Sequence, residues 1–211
     1  MNNLHTIIDQ INQDFTVKTD VRDKTLKRSR ELIGHCANTI RAIHRHDEEQ
    51  TGSLMAAAKT VANEMIAEAR QFPDIYHAGY TQDALKELAE ASITEALIMG
   101  KPVPTPKALN IENAAYINGM AETVGELRRY ALDALRRGEV ETSERMLEMM
   151  DEIYTGLITV DFPSAITSGL RRQTDIARSL VERTRGDVTT AIRQEAMKQA
   201  LQAFEARVSN L

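Results

Sequence analysis

The chain has 211 residues, of which 42% are apolar and 4% are aromatic, and its formal net charge is −5. A chain of this length buries a sizeable core without needing disulfide bonds or a structural metal ion. Its single cysteine, Cys36, excludes an internal disulfide and a multi-cysteine zinc site. The negative charge argues against a broadly basic surface that binds duplex nucleic acid nonspecifically, but it leaves room for a local basic groove.

Helical periodicity and the scarcity of aromatic residues predict an all-α fold, because apolar residues recur at spacings of three and four and no strand alternation is visible. About seven helices are expected, and together they favour an elongated bundle with large lateral surfaces of the kind that mediate oligomers. The predicted helices cover residues 2–16, 20–48, 53–71, 75–99, 110–137, 142–158 and 163–207, the last of which Gly186 could interrupt.

The longest predicted connection is "GKPVPTPKALN", residues 100–110, which contains three of the five prolines. Proline alternating with other residues favours extended backbone, so this segment is predicted to be non-helical. We therefore expect one domain over residues 1–211, with a Pro-rich loop at 101–107 between two helical halves.

A first pair of acids lies in "LKELAEASITEALI", residues 85–98, where Glu87 and Glu90 are three residues apart. On a helix both side chains emerge on one face, beside the small residues Ala91 and Thr94, which leave space for an ion and a substrate. Taken alone the pair is a weak signal, because 31 acidic residues in 211 supply several such pairs by chance. For the pair taken alone, an exposed helical edge is the better explanation.

A second pair of acids, Glu122 and Glu126, follows in "INGMAETVGELRRYALDALRR". A surface ion pair with Arg129 would explain Glu126 without any chemistry. Gly119 and Gly125 are harder to explain, because a glycine inside a helix costs about 1 kcal/mol relative to alanine. They suggest the close approach of another helix or of a ligand.

Four carboxylates would meet if these two helices pack antiparallel across the Pro-rich loop. Oxygen ligands without His or Cys favour Mg²⁺ or Mn²⁺, and such a site can activate a water for attack on a phosphodiester. Basic residues would hold the phosphates, although solvated helix faces explain each basic cluster as well. The candidates are Lys27, Arg28, Arg128 and Arg129.

Most of the chain resembles the family of translin and translin-associated factor X. The most specific segments are "LxExxEA" at 85–91 and "GxAxxxGELxR" at 119–129, and their order and separation also fit. The resemblance extends over four longer segments, at residues 22–47, 72–98, 114–157 and 168–188.

The resemblance implies an all-α bundle that assembles into a hollow octamer and handles nucleic acid inside it. In the factor X branch, two Glu and one Asp form an Mg²⁺-dependent endoribonuclease site for single-stranded RNA. These acids correspond to Glu87, Glu90 and Glu122, with Glu126 as an adjacent fourth carboxylate. The translin branch lacks the first two acids, so this chain is closer to the catalytic branch.

Two positions depart from the family pattern. Position 122 is Glu where the catalytic branch usually has Asp, and the basic, aromatic motif that follows "FP" in translin here reads "DIYHAGYTQD". The chain also lacks the basic amino-terminal stretch of the factor X branch. We therefore expect an archaeal-type member that forms a homo-oligomer.

Three functions follow as hypotheses. The first is an endoribonuclease that uses Mg²⁺, or Mn²⁺ in its place. The second is a non-catalytic oligomer that binds single-stranded RNA or DNA, and the third is a purely structural helical partner. No apolar run approaches the roughly 18 residues of a membrane span, and the single cysteine suits a reducing compartment, so a cytoplasmic protein is expected.

Overall fold

A computed structural model describes residues 3–209, and all regular secondary structure within that range is helical, which confirms the all-α fold. Six of the helices are long and three are single turns. None of the helices within residues 3–209 combines the length and the hydropathy that a membrane span requires. The helices are α1 (Leu4–His44), α2 (Glu48–Ala69), α3 (Pro73–Tyr76), α4 (Gly79–Ile98), α5 (Pro106–Leu109), α6 (Asn113–Arg136), α7 (Val140–Leu157), α8 (Ser164–Thr167) and α9 (Leu170–Val208).

The amino-terminal helices differ from the prediction at two places. Where the prediction had two helices, 2–16 and 20–48, α1 runs unbroken from Leu4 to His44, because residues 15–20 contain neither Gly nor Pro to interrupt it. The predicted start at residue 2 lies outside the described residues, and the predicted end at residue 48 is wrong. Helix α2 begins at Glu48 rather than at 53, because the Asp47 side chain accepts a hydrogen bond from the Gln50 backbone N–H at 3.0 Å. An aspartate at this position satisfies one of the unpaired N–H groups of the first turn.

The Pro-rich segment is not wholly extended, so the prediction of a non-helical connection is wrong at its end. Thr105 accepts a hydrogen bond from the Ala108 backbone N–H at 3.1 Å, and Pro106 occupies the first turn of α5. Proline suits that position because its missing N–H would have no helical partner. Asn110, with φ of 60°, ends the turn in the left-handed region.

The carboxy-terminal helix also differs from the prediction. Ser168 and Gly169 both adopt left-handed backbone, with φ of 51° and 84°, so α8 and α9 are separate helices. Helix α9 then continues through Gly186 without a break. A single glycine costs a helix only about 1 kcal/mol, and that is too little to end it.

The chain forms two compact units, of which the first ends at Gly119 and the second begins at Met120. The division therefore falls inside α6 and not in the Pro-rich loop, which belongs to the first unit. The single-domain organisation stays a prediction.

Each unit has its own packed helices. In the first unit α1, α2 and α4 pack on one another, and an ion pair of 2.7 Å between Arg28 and Glu68 links α1 to α2. In the second unit α7 packs on α9. The fully buried large side chains include Leu32, Ile43, Met65, Ile66, Leu85, Leu88 and Ile93 in the first unit and Leu127, Met146, Met150 and Leu157 in the second.

Candidate metal centre

Helix α4 carries the first two acids and is mostly buried, with ten of its 20 residues in the core. Glu87 and Glu90 are half-buried, while Ala91 and Thr94 on the same face are fully buried. The pair is therefore not part of an exposed helical edge. Lys86 places its ammonium group 3.7 Å from the Glu87 carboxylate, and the Glu87 side chain keeps 28% of its surface exposed.

Cys36 of α1 lies close to this acidic face. Its thiol is fully buried, and burial raises its pKa to about 12, with smaller contributions from the negative charges of Glu87 and Glu90. The thiol is therefore protonated at neutral pH and is neither a nucleophile nor a thiolate ligand.

Gly119 of α6 packs tightly against α4 within the first unit. A Cβ atom added at Gly119 would lie 2.5 Å from the Lys86 carbonyl oxygen, 2.7 Å from the Ala89 Cβ and 2.9 Å from the Glu90 nitrogen. Only a glycine allows this approach, which explains its place inside a helix. Gly125 differs, because an added Cβ would meet only the Leu180 Cδ1 atom at 3.9 Å, an ordinary contact.

Glu122 follows Gly119 by one turn of the same unbroken helix, α6. Its Oε1 atom accepts a hydrogen bond of 2.9 Å from the Gln173 side-chain amide on α9. No local sequence pattern predicts this partner, because Gln173 is 51 residues away along the chain.

Three of the predicted acids form a group that could hold a metal ion. Glu87, Glu90 and Glu122 each offer a carboxylate oxygen within 4.8 Å of the other two, and all three are half-buried. An all-oxygen set of three carboxylates suits a hard divalent cation such as Mg²⁺ or Mn²⁺. The buried Thr94 hydroxyl, which has no hydrogen-bond partner among residues 3–209, is a further oxygen on the same face of α4.

The fourth predicted ligand, Glu126, is outside this group of three. One of its carboxylate oxygens lies 3.8 Å from an Arg129 nitrogen, one turn further along α6. This matches the surface ion pair that the spacing predicted. A role for Glu126 as a metal ligand stays a prediction.

Known proteins show the same architecture. No family model matches the chain. It is 30% identical over 193 residues to an uncharacterised protein of Methanocaldococcus jannaschii. The match covers 91% of this chain and 86% of that protein. The structure of AfC3PO in complex with duplex RNA has a TM-score of 0.82 and 34% sequence identity, over 89% of this chain and 97% of that chain.

A second structure of AfC3PO matches with a TM-score of 0.82 and 32% identity, over 89% of this chain and 97% of that one. The AfC3PO structures are of the translin type. The chain belongs to the translin family. Apo-NeC3PO shares the fold, with a TM-score of 0.81 at 17% identity, over 87% of this chain and 96% of that chain.

In this translin-family chain the four basic candidates have different environments. Arg28 is 22% exposed and pairs with Glu68, and Arg128 is 20% exposed and pairs with Asp187 at 2.9 Å. Both arginines therefore hold helices together within their own units. Lys27 is exposed, and the Arg129 side chain is 54% exposed. A role in binding RNA stays a prediction for all four.

Proposed function

We propose that this protein is an Mg²⁺-dependent endoribonuclease that cleaves single-stranded RNA. The observation that carries the proposal is the group formed by Glu87, Glu90 and Glu122. These three residues are the proposed metal ligands, and Glu126, four residues after Glu122 on α6, is proposed as a fourth. Three carboxylates also suit Mn²⁺, which we expect to replace Mg²⁺.

When bound, the ion would supply an activated water and neutralise the charge that develops on the phosphodiester. The residues of the chain would orient the ligands. Gln173 donates a hydrogen bond to Glu122 and so fixes the direction of its carboxylate. Residues that hydrogen-bond a metal ligand in this way strongly affect the affinity of the site for the metal. The Glu122 side chain is one methylene longer than the Asp of the family pattern, and this hydrogen bond restricts that extra freedom.

RNA binding is proposed because AfC3PO, which is 34% identical to this chain, has been described in complex with duplex RNA. Lys27, Arg28, Arg128 and Arg129 are the proposed contacts to the RNA backbone. Arg28 and Arg128 are mostly buried and pair with acids at 2.7 and 2.9 Å. Lys27 is exposed, and Arg129 is 54% exposed with a longer contact of 3.8 Å to Glu126, so these two should contribute more to affinity. At a net charge of −5 the affinity should depend on a local basic surface and should fall steeply with salt.

A homo-oligomer, with the octamer as the proposed form, is supported by two exposed helical segments. Residues 4–17 at the start of α1 are all exposed, and so are most of residues 189–209, which include the end of α9. Both segments carry large apolar side chains in solvent. Light scattering should then report about eight times the subunit mass of 23.6 kDa.

The alternative is an oligomer that binds single-stranded RNA or DNA without cutting it. This reading is also consistent with the RNA complex of AfC3PO. The two functions differ in one property, because only the nuclease needs the three carboxylates for turnover.

The test is cleavage of a labelled single-stranded RNA, and of a duplex of the same sequence, with Mg²⁺, with Mn²⁺ or with EDTA. We expect Glu87→Gln, Glu90→Gln and Glu122→Gln each to lower the rate by at least about 100-fold, because each removes a charged ligand. Asp83→Asn is the matched control, since Asp83 is an exposed acid of the same helix outside the group of three.

Each result supports one reading. Cleavage that survives EDTA and all three substitutions would refute the nuclease proposal. RNA that binds in a salt-dependent manner but is never cut would establish the alternative. The absence of both binding and cleavage would leave the purely structural role.

A further inference from the structure

Thr94 on α4 has a hydroxyl group that makes no hydrogen bond. The residue is fully buried, and its Oγ1 atom has no partner in the part of the chain that the structure describes. A buried polar group without a partner is costly, and native proteins rarely keep one without a ligand or a water to satisfy it. Thr94 therefore needs a specific explanation.

Other threonines in the helices of this chain do form a hydrogen bond within their own helix, which makes Thr94 an exception. Thr25, Thr39 and Thr51 each donate to the backbone carbonyl four residues earlier, at 2.8, 2.8 and 2.7 Å. This is the ordinary partner of a threonine inside a helix. The Thr94 hydroxyl does not make that bond, so it is left for another partner.

The position of Thr94 points to what that partner is. It follows Glu90 by four residues and Glu87 by seven, so the three residues share one face of α4. Side chains on a helix lean toward its amino terminus, which places the hydroxyl over the turn that contains Glu90 and Ala91. The unsatisfied oxygen thus lies next to the proposed metal ligands.

We infer that the Thr94 hydroxyl hydrogen-bonds a water molecule of the hydration shell of the metal ion. Mg²⁺ keeps several of its waters when proteins bind it, and a buried water requires two to four polar partners. Thr94 is then a positioning residue rather than a ligand. This inference rests on the proposed metal-dependent function and adds a residue to it.

The test compares Thr94→Val, which removes the hydroxyl and keeps the shape, with Thr94→Ser, which keeps the hydroxyl. Mn²⁺ binding is measured by electron paramagnetic resonance, and metal-free stability by urea unfolding in EDTA. We expect Thr94→Val to weaken Mn²⁺ binding about tenfold, as the loss of an outer-shell partner does elsewhere. Thr94→Ser should bind Mn²⁺ within about twofold of the wild type.

Stability separates this role from a purely structural one. Without metal, Thr94→Val should be at least as stable as the wild type, because it removes an unsatisfied group. Thr39→Val is the matched control, since Thr39 is buried in α1 and its hydroxyl is hydrogen-bonded. It should lose stability without changing Mn²⁺ affinity. If Thr94→Val perturbs folding, Thr94→Ala repeats the loss of the hydroxyl in a smaller side chain.

The possible failures are distinguishable. Unchanged Mn²⁺ affinity in Thr94→Val, together with loss of binding in Glu90→Gln, would overturn the role of Thr94 and leave the metal site standing. A wild-type protein that binds no Mn²⁺ would overturn both the metal site and the role of Thr94.

Discussion

Because of Cys36, we expect the first unit to lose stability at alkaline pH. Burial, with help from Glu87 and Glu90, raises the thiol pKa from 9.0 to about 12. Above pH 9 the unfolded chain loses this proton while the folded protein keeps it, so the folded state loses stability as pH rises. Below pH 9 both states keep the proton, and the thiol has no effect on the pH dependence.

We therefore predict that raising the pH from 7.5 to 10 costs the wild type about 1 kcal/mol more than it costs Cys36→Ala. Urea unfolding of both proteins in EDTA measures the difference. Tyr116 and Tyr130, whose pKa values burial also raises, act equally in both proteins and cancel. Equal losses of stability in the two proteins would show that the thiol does not titrate as described.

Individual residues were predictable where local spacing decides their environment. Glu87 and Glu90 share a helical face for that reason, and the resemblance to translin added Glu122. Gln173 and the unsatisfied Thr94 hydroxyl were not predictable. The first depends on the packing of a distant helix, and the second depends on a side-chain orientation that no sequence pattern specifies.

Among the structural elements, the approach of α6 to α4 depends on Gly119. Gly119→Ala places a Cβ against backbone atoms of α4 that cannot yield, so we predict a loss of about 1–3 kcal/mol in unfolding free energy. Gly125→Ala is the matched variant in the same helix. Its added Cβ meets an ordinary contact, so it should gain up to about 1 kcal/mol from helix propensity.

Denaturant unfolding of both variants measures this contrast, and Mn²⁺ binding by Gly119→Ala adds a functional readout. Because the added Cβ would meet the Glu90 backbone, we expect weaker Mn²⁺ binding in Gly119→Ala and no change in Gly125→Ala. Two variants of equal stability would contradict the close approach at Gly119.

The sequence was enough to predict that the elements are helices, but it did not predict several of their ends. Periodicity identified the long helices, although it divided α1 into two, because burial of one face imposes that period on the sequence. The ends depend on capping, which involves one or two side chains. Thr105 and Pro106 thus begin a turn inside a segment whose composition favours extended backbone.

At the scale of the whole molecule, the two exposed helical segments each present an apolar face. An isolated helix of fewer than about 15 residues is marginal in water, and most helices owe their stability to the burial of an apolar face. Each segment has such a face, with large apolar residues at successive spacings of four, three and four. The α1 stripe is Leu4, Ile8, Ile11 and Phe15, and the α9 stripe is Met197, Leu201, Phe204 and Val208; every member is 44–68% exposed.

A second copy of the chain is the partner we propose for these stripes, because the flanking charges differ in sign. Residues 4–17 carry two aspartates and no Lys or Arg, whereas residues 192–208 carry three basic and two acidic residues. Opposite charges beside apolar stripes favour pairing between different segments over pairing of like segments. Copies joined in this way through unlike surfaces close into a ring when the rotation allows it.

We predict that Ile8→Asp with Ile11→Asp, and separately Leu201→Asp with Phe204→Asp, reduce the mass measured by light scattering toward the 23.6 kDa subunit. Burying a carboxylate in an apolar interface costs several kcal/mol, which exceeds what one stripe gains from burial. Gln13→Asp and Gln199→Asp, on the opposite faces of the same segments, add charge without entering the stripes and should keep the wild-type mass. Circular dichroism should show retained helix in all four proteins. Stripe variants that keep the wild-type mass would exclude these segments from the interface, and a wild-type monomer at micromolar concentration would exclude the assembly itself.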